Sequence, residues 1–70
     1  MSAYKVIQVI GVSANSWEEA ARTAIEEAGR HVRDLRIAEI EKLDLRIENN
    51  KVVEFRARVN LSFRYEGSPA

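Results

Sequence analysis

The sequence holds one histidine, His31, and no cysteine. Nucleophilic or acid–base catalysis needs an activated group held against a partner. Ser13 and Ser16 have no base close by in sequence, and Ser16 is better read as a helix cap. The three glycines, Gly11, Gly29 and Gly67, lie too far apart to form a phosphate-cradling loop. His31 falls near the end of a predicted helix, where a positive imidazole complements the helix dipole. These residue types point away from an enzyme and toward binding.

Two sets of charges could bind. Glu39, Glu41, Asp44, Glu48 and Glu54 are hard oxygen donors of the kind calcium selects. Calcium takes about six or more oxygens, so one chain falls short and a cation would be shared between copies. The competing reading of the same carboxylates is a solvated strand face carrying cross-strand ion pairs. Arg56, Arg58 and Arg64 share one face of the last predicted strand. They are candidate anion contacts if that face lines a cavity, and ordinary surface cations if it meets water. Trp17, the one tryptophan, is read as an anchor for the start of the helix or for an interface.

The elements that position these groups fit one small domain. Seventy residues allow a single core, which rarely supplies more than about 3–5 kcal/mol unaided. With no cysteine for a disulfide or a zinc–thiolate site, oligomerisation is the remaining route to stability. The formal net charge is zero, which disfavours non-specific nucleic-acid binding. No apolar run reaches the length of a membrane span. Met1 to Tyr4 shows no signal-peptide pattern, and the expected location is cytoplasmic. The ordered core is expected over residues 3–66, with a frayed tail over 67–70 that contains Gly67 and Pro69.

Tyr4 to Ile10 reads as a strand with apolar residues on both faces: Ile7 and Val9 on one, Val6 and Ile10 on the other. A strand apolar on both sides is covered on both sides. One helix in so short a chain covers one face, so the other requires a neighbouring copy. Gly11 to Asn15 is expected to break the strand. Ser16-Trp17-Glu18-Glu19 has the form of a capping box, with Glu19 reaching back to the cap residue. Trp17, Ala20, Ala21, Ala24, Ile25, Ala28 and Val32 then follow helical spacing, and the helix is expected to end near Arg33-Asp34.

From Leu35 the period becomes two. The change of phase between Ile40 and Leu43 predicts a bulge near Glu41-Lys42. In the last strand Val53, Phe55, Ala57, Val59, Leu61, Phe63 and Tyr65 point one way, while Glu54, Arg56, Arg58, Asn60, Ser62 and Arg64 point the other. A two-residue Asn49-Asn50 turn would put Leu45 opposite Glu54, so an odd-length loop is expected. A three-residue loop with Asn50 left-handed satisfies turn chemistry. A register pairing Arg46 with Glu54 and Asp44 with Arg56 satisfies charge.

Tyr4-Lys5-Val6-Ile7, Gly11, Ser13, Ser16-Trp17-Glu18-Glu19-Ala20, Leu35-Arg36, Ile47-Glu48-Asn49, Lys51-Val52 and Ser62-Phe63-Arg64 together resemble the dodecins, over roughly Ala3 to Glu66. The resemblance implies an α+β fold: a β-α-β-β subunit whose three-stranded antiparallel sheet wraps one helix and assembles into a hollow homododecamer. It also implies paired flavins stacked between aromatic side chains of neighbouring copies, held for storage without turnover. Ile37 stands where the family's stacking tryptophan follows the Leu-Arg pair, and Arg56 stands where its flavin-reading glutamine follows the aromatic of the last strand. An aliphatic side chain has no π-face, and arginine offers donors only. The same departures are similar to those of the calcium dodecins, a subgroup without the stacking tryptophan, though no metal-ligand motif carries over.

Three readings therefore stand. The first is a self-assembling binding or storage shell without the usual flavin site, holding a cation such as calcium or a small anionic cofactor at subunit contacts. The second is a flavin-buffering dodecin with another stacking residue. The third is a structural oligomer with no ligand.

Overall fold

The computed structural model describes residues 2–65, and the expected frayed tail lies outside the described residues. Four elements run in the order β1 (Ala3–Ser13), α1 (Trp17–Gly29), β2 (Leu35–Glu48) and β3 (Lys51–Tyr65). The strands form one antiparallel sheet in the order β1-β3-β2, with β3 in the middle. This is the β-α-β-β arrangement anticipated.

The helix lies across the inner face of β1 and β3. Its alanines allow a very close approach: Ala20 and Ala24 are buried against Ala57, Val59 and Leu61 of β3, with Ile7 and Val9 of β1 beside them. Gly11 is the point of closest contact. A Cβ there would stand 1.9 Å from the Ala20 carbonyl oxygen and 2.9 Å from the Ala24 Cβ. The expected strand break is therefore corrected. Gly11, Val12 and Ser13 continue β1 and pair with Ala57, Arg56 and Phe55. The glycine marks a close approach of backbone to helix, not a turn.

The helix start is capped by Ser16, whose Oγ accepts from the Glu19 N–H at 3.0 Å. The reciprocal half of the expected box is absent. The Ser16 N–H instead donates to Ser13 Oγ at 3.3 Å, and the Glu19 carboxylate accepts from Asn15 Nδ2. Trp17 anchors this end: its indole meets Phe55 edge-on at 5.3 Å, and its Nε1–H donates to the Asp44 carbonyl at 3.2 Å.

The helix also ends earlier than its apolar spacing suggested. After Gly29 the bonds tighten, with the Arg30 and His31 N–H groups donating three residues back to Glu27 and Ala28. Asp34 then takes a left-handed conformation (φ 58°), which aspartate tolerates better than most residues, and turns the chain into β2.

The β2–β3 hairpin adopts the register that charge favours, closed by a two-residue turn in place of the expected odd-length loop. The turn is the two-residue Asn49-Asn50, both left-handed (φ 51° and 61°), with Glu48 paired to Lys51. The register also shifts between Arg46 and Ile47, so Val53 is the extra residue of a bulge. That shift restores parity: Leu45 faces Phe55, Arg46 faces Glu54 and Asp44 faces Arg56. The expected bulge at Glu41-Lys42 is present between Ile40 and Lys42, and a further one falls between Leu35 and Ile37.

The molecule measures 55 × 19 × 16 Å. Because α1 sits over β1 and β3, Ile40, Leu43 and Leu45 on the inner face of β2 stay at least 38% exposed. On the outer face Tyr4, Val6, Ile10 and Val12 of β1 are each at least 45% exposed. An apolar stripe of this size is an association surface.

Replacing Gly11 by Ala should cost about 2–3 kcal/mol or more, because the close-packed helix has nowhere to move. In thermal unfolding this reads as a Tm lowered by about 10 °C or more. An unchanged Tm would show that α1 can lift off β1.

Candidate functional site

The outer face of the sheet carries most of the chain's strand charges in an ordered ladder. Reading along β3 from the hairpin, the rows across the sheet are Arg46–Glu54, Asp44–Arg56–Val12, Lys42–Arg58–Ile10, Glu39–Asn60–Gln8 and Ile37–Ser62–Val6.

The first two rows are closed ion pairs. Arg46 donates through Nε to Glu54 at 2.6 Å and also engages Glu48. Arg56 donates through Nε and Nη2 to the two Asp44 oxygens at 2.7 and 3.3 Å. This bidentate pair holds the Asp44 carboxyl below its ordinary range, chiefly through the hydrogen bond from Arg56, and it raises the guanidinium in turn. Arg56, one of the expected anion contacts, is thus already committed to a carboxylate.

The fourth row is an amide–carboxylate network. Gln8 Nε2 donates to Asn60 Oδ1 at 3.0 Å and to Glu41 Oε2 at 2.9 Å. Asn60 Nδ2 donates to Glu41 at 3.3 Å and to Glu39 at 3.5 Å. Of the five strand carboxylates singled out in the sequence, Asp44, Glu48 and Glu54 are held by arginines. Glu39 and Glu41 are left to converge on amides. Among the described residues no three acidic or histidine side chains cluster as a metal site. These two carboxylates therefore fit a calcium ion in chemistry but fall short of it in number.

The fifth row, Val6, Ile37 and Ser62, lines a concavity of about 250 Å³ together with Glu39 and Asn60 of the fourth. Ile37 is 68% exposed at its wall. Within one chain it does not meet Arg56: Ser62, its partner, is six residues from Arg56 along β3, about 20 Å. A pocket using both would have to combine copies. Arg58 stands opposite Lys42 on the outer face. Arg64 sits apart from Arg56 and Arg58, beside the turn that follows α1. The Gln8–Asn60 network went unseen in the sequence because alternation assigns faces but not which strand is central.

Known proteins now decide the family. The family model Dodecin matches residues 3–66. The chain belongs to the dodecin family. It is 38% identical over 64 residues to the calcium dodecin of Mycobacterium tuberculosis, covering 91% of this chain and 90% of that protein. The crystal structure of that protein, described as calcium-chelating with a novel calcium-binding site, superposes with a TM-score of 0.84 at 35% identity over 99% of each chain. The dodecin of Streptomyces coelicolor superposes with a TM-score of 0.89 at 30% identity, over 96% of each chain. Dodecins are binding and storage proteins that form homododecamers. No described helix of this chain is long and apolar enough to cross a membrane.

The Asp44–Arg56 pair gives a pH signature. Because the folded-state pKa of Asp44 is depressed, its contribution to stability is fully present above the unfolded carboxylate value, about 3.9, and is lost as pH falls below it. Asp44→Asn should lower Tm modestly at pH 7, and the gap to the parent should close below about pH 4. A gap that persists unchanged into acid would show that the pair contributes nothing.

Proposed function

We propose that this dodecin assembles into a hollow dodecameric shell that binds a divalent cation, calcium foremost, at subunit contacts, does not turn over a substrate, and lacks the flavin-stacking site of its family. The observation that carries the reading is the replacement of the flavin positions: Ile37 presents an aliphatic surface, and Arg56 is closed onto Asp44. The relationship to a calcium dodecin supports the cation, and the two-sided apolar β1 supports the assembly. Glu39 and Glu41 are the carboxylates left for the ion, with further oxygens drawn from another copy. The bound ion would supply a fixed double positive charge between subunits, while the chain's own residues close the shell. The absence of cysteine accords with a cytoplasmic location.

Native mass spectrometry with and without calcium and riboflavin tests this directly. The expected result is a twelve-subunit mass that retains calcium and ignores riboflavin. Uptake of riboflavin would revive the flavin-buffering alternative, and a monomer would remove the shell. Calcium should also raise Tm, since a ligand of the native state stabilises it.

Two sets of variants sharpen the reading. Glu39→Gln with Glu41→Gln should abolish the calcium-dependent rise in Tm while leaving the twelve-subunit mass intact, and a full rise in that variant would move the cation elsewhere. Ile37→Trp with Arg56→Gln should gain riboflavin fluorescence quenching. An assembled double variant that still fails to quench would mean that the pocket differs beyond these two positions.

A further inference from the structure

Asp44 is held from both faces of the sheet. On the outer face its carboxylate accepts from Arg56 Nε and Nη2 at 2.7 and 3.3 Å. On the helix side its backbone carbonyl accepts from the Trp17 indole N–H at 3.2 Å. The indole ring also meets Phe55 edge-on, and Phe55 is the chain neighbour of Arg56. The two sets of contacts therefore close on one crossing of β2 and β3, where Asp44 pairs with Arg56 and Leu45 with Phe55. Among the described residues the Trp17–Asp44 bond is the one hydrogen bond that joins α1 to β2.

This placement gives Trp17 a part beyond anchoring. Along β2 the helix packs near Leu35 at one end and reaches Asp44 through Trp17 toward the other. β2 is an edge strand and pairs with β3 alone, so less restrains it between those points. The bidentate pair fixes the Asp44 side chain against β3. Trp17 bonds to the carbonyl of that same residue, so the carbonyl stays where the pair holds the strand. The charges that face the Asp44 carboxylate come from Arg56 and Arg58 of β3 and from Lys42 of β2. Arg46 and Glu54 act on it through Arg56. β1 contributes the uncharged Val12 to the row, and α1 the uncharged Trp17. The three facing cations all favour the ionised, paired form.

We infer that the Asp44–Arg56 pair is an acid-sensitive latch for the helix: closed, it holds Asp44 where the Trp17 indole bonds to it, and protonation of Asp44 opens the pair and loosens Trp17 from β2. The direction follows from the charges. A carboxylate whose folded-state pKa is depressed stays paired above its ordinary value, about 3.9, and opens only as pH falls through the lower folded-state value. The latch uses neither Glu39 nor Glu41, so it stands independently of the cation reading. It joins the outer-face ladder to the helix seat, although the two lie on opposite faces of the sheet.

Trp17 is the one tryptophan of the chain, so its fluorescence reports the latch directly. Acrylamide quenching of the assembled protein at pH 7 compares the parent with Asp44→Asn, Arg56→Gln and the double variant. Each single variant should raise the quenching constant by about twofold or more, as a local opening does. The double variant should add nothing to the larger single effect, because both changes open the same pair. On acidification the parent should reach the same quenching, with a midpoint below the ordinary carboxylate value, while Asp44→Asn should stay flat over that range. Parent-like quenching in an assembled Asp44→Asn variant, or additive effects of the two changes, would overturn the latch. Should the variants fail to assemble, the acid titration of the parent decides the matter, with light scattering recorded alongside. A rise in quenching that precedes any loss of scattering supports the latch, and a rise that is absent or only accompanies that loss overturns it.

Discussion

The contact on which the rest of this structure depends is the seat of α1 on Gly11. With no side chain at that point, the Ala20 carbonyl comes within van der Waals reach of the β1 backbone, and the alanines of the helix sink between β1 and β3. This close packing has a geometric consequence. A helix drawn so far over β1 and β3 cannot also cover β2, and it leaves the outer face of the sheet untouched. Ile40, Leu43 and Leu45 on one side, and Tyr4, Val6, Ile10 and Val12 on the other, are therefore uncovered for the same reason. Hydrophobic burial is the main favourable term in folding a domain, and here a large part of the apolar surface awaits another copy. Folding and assembly are two stages of one burial.

The second organising constraint is the register of the β2–β3 hairpin. A left-handed Asn49-Asn50 turn matches strand twist, but on its own it would set apolar residues against charged ones. The bulge at Val53 absorbs the mismatch. Its effect reaches well beyond the turn, because it brings Arg46 to Glu54 and Asp44 to Arg56. Each pair is exposed and contributes little energy singly. What the pairs provide is selection: a slip by one residue would oppose like with unlike along the whole ladder. The same pairing takes Arg56 and Asp44 out of the pool of groups free to meet a ligand.

How much of this was legible in the sequence follows from which forces are local. The strand and helix identities, the Ser16 cap and the Glu41 bulge all follow from periodicity or from neighbours a few residues apart, while Trp17 was recognisable as an anchor but its partners Phe55 and Asp44 were not. The need for a partner was legible too, because β1 is apolar on both parities. Three features were not. Gly11 reads as a strand break in any local view, since what makes it a glycine is a helix many residues away. The helix ends at Gly29 although Val32 keeps the apolar spacing, because the left-handed Asp34 reverses the chain just beyond it. In the hairpin, a two-residue turn looked excluded while the bulge that permits it carried no sequence signal. The candidate sites share this division. The charged side chains were recognisable as a set, but only the strand order β1-β3-β2 shows which of them stand side by side.

That strand order also explains why the charges of the outer face are sorted into rows of different character. With β3 central, its outer residues from Arg56 to Ser62 meet a partner on each side, so the charges there are read in the context of a full row. The rows near the hairpin neutralise themselves, and the row at Asn60 gathers carboxylates and amides. The rows differ because each residue of β3 takes its neighbours from β1 and β2, so the registers of both ladders, and not the sequence of β3 alone, decide which charges are closed into pairs and which are left to amides.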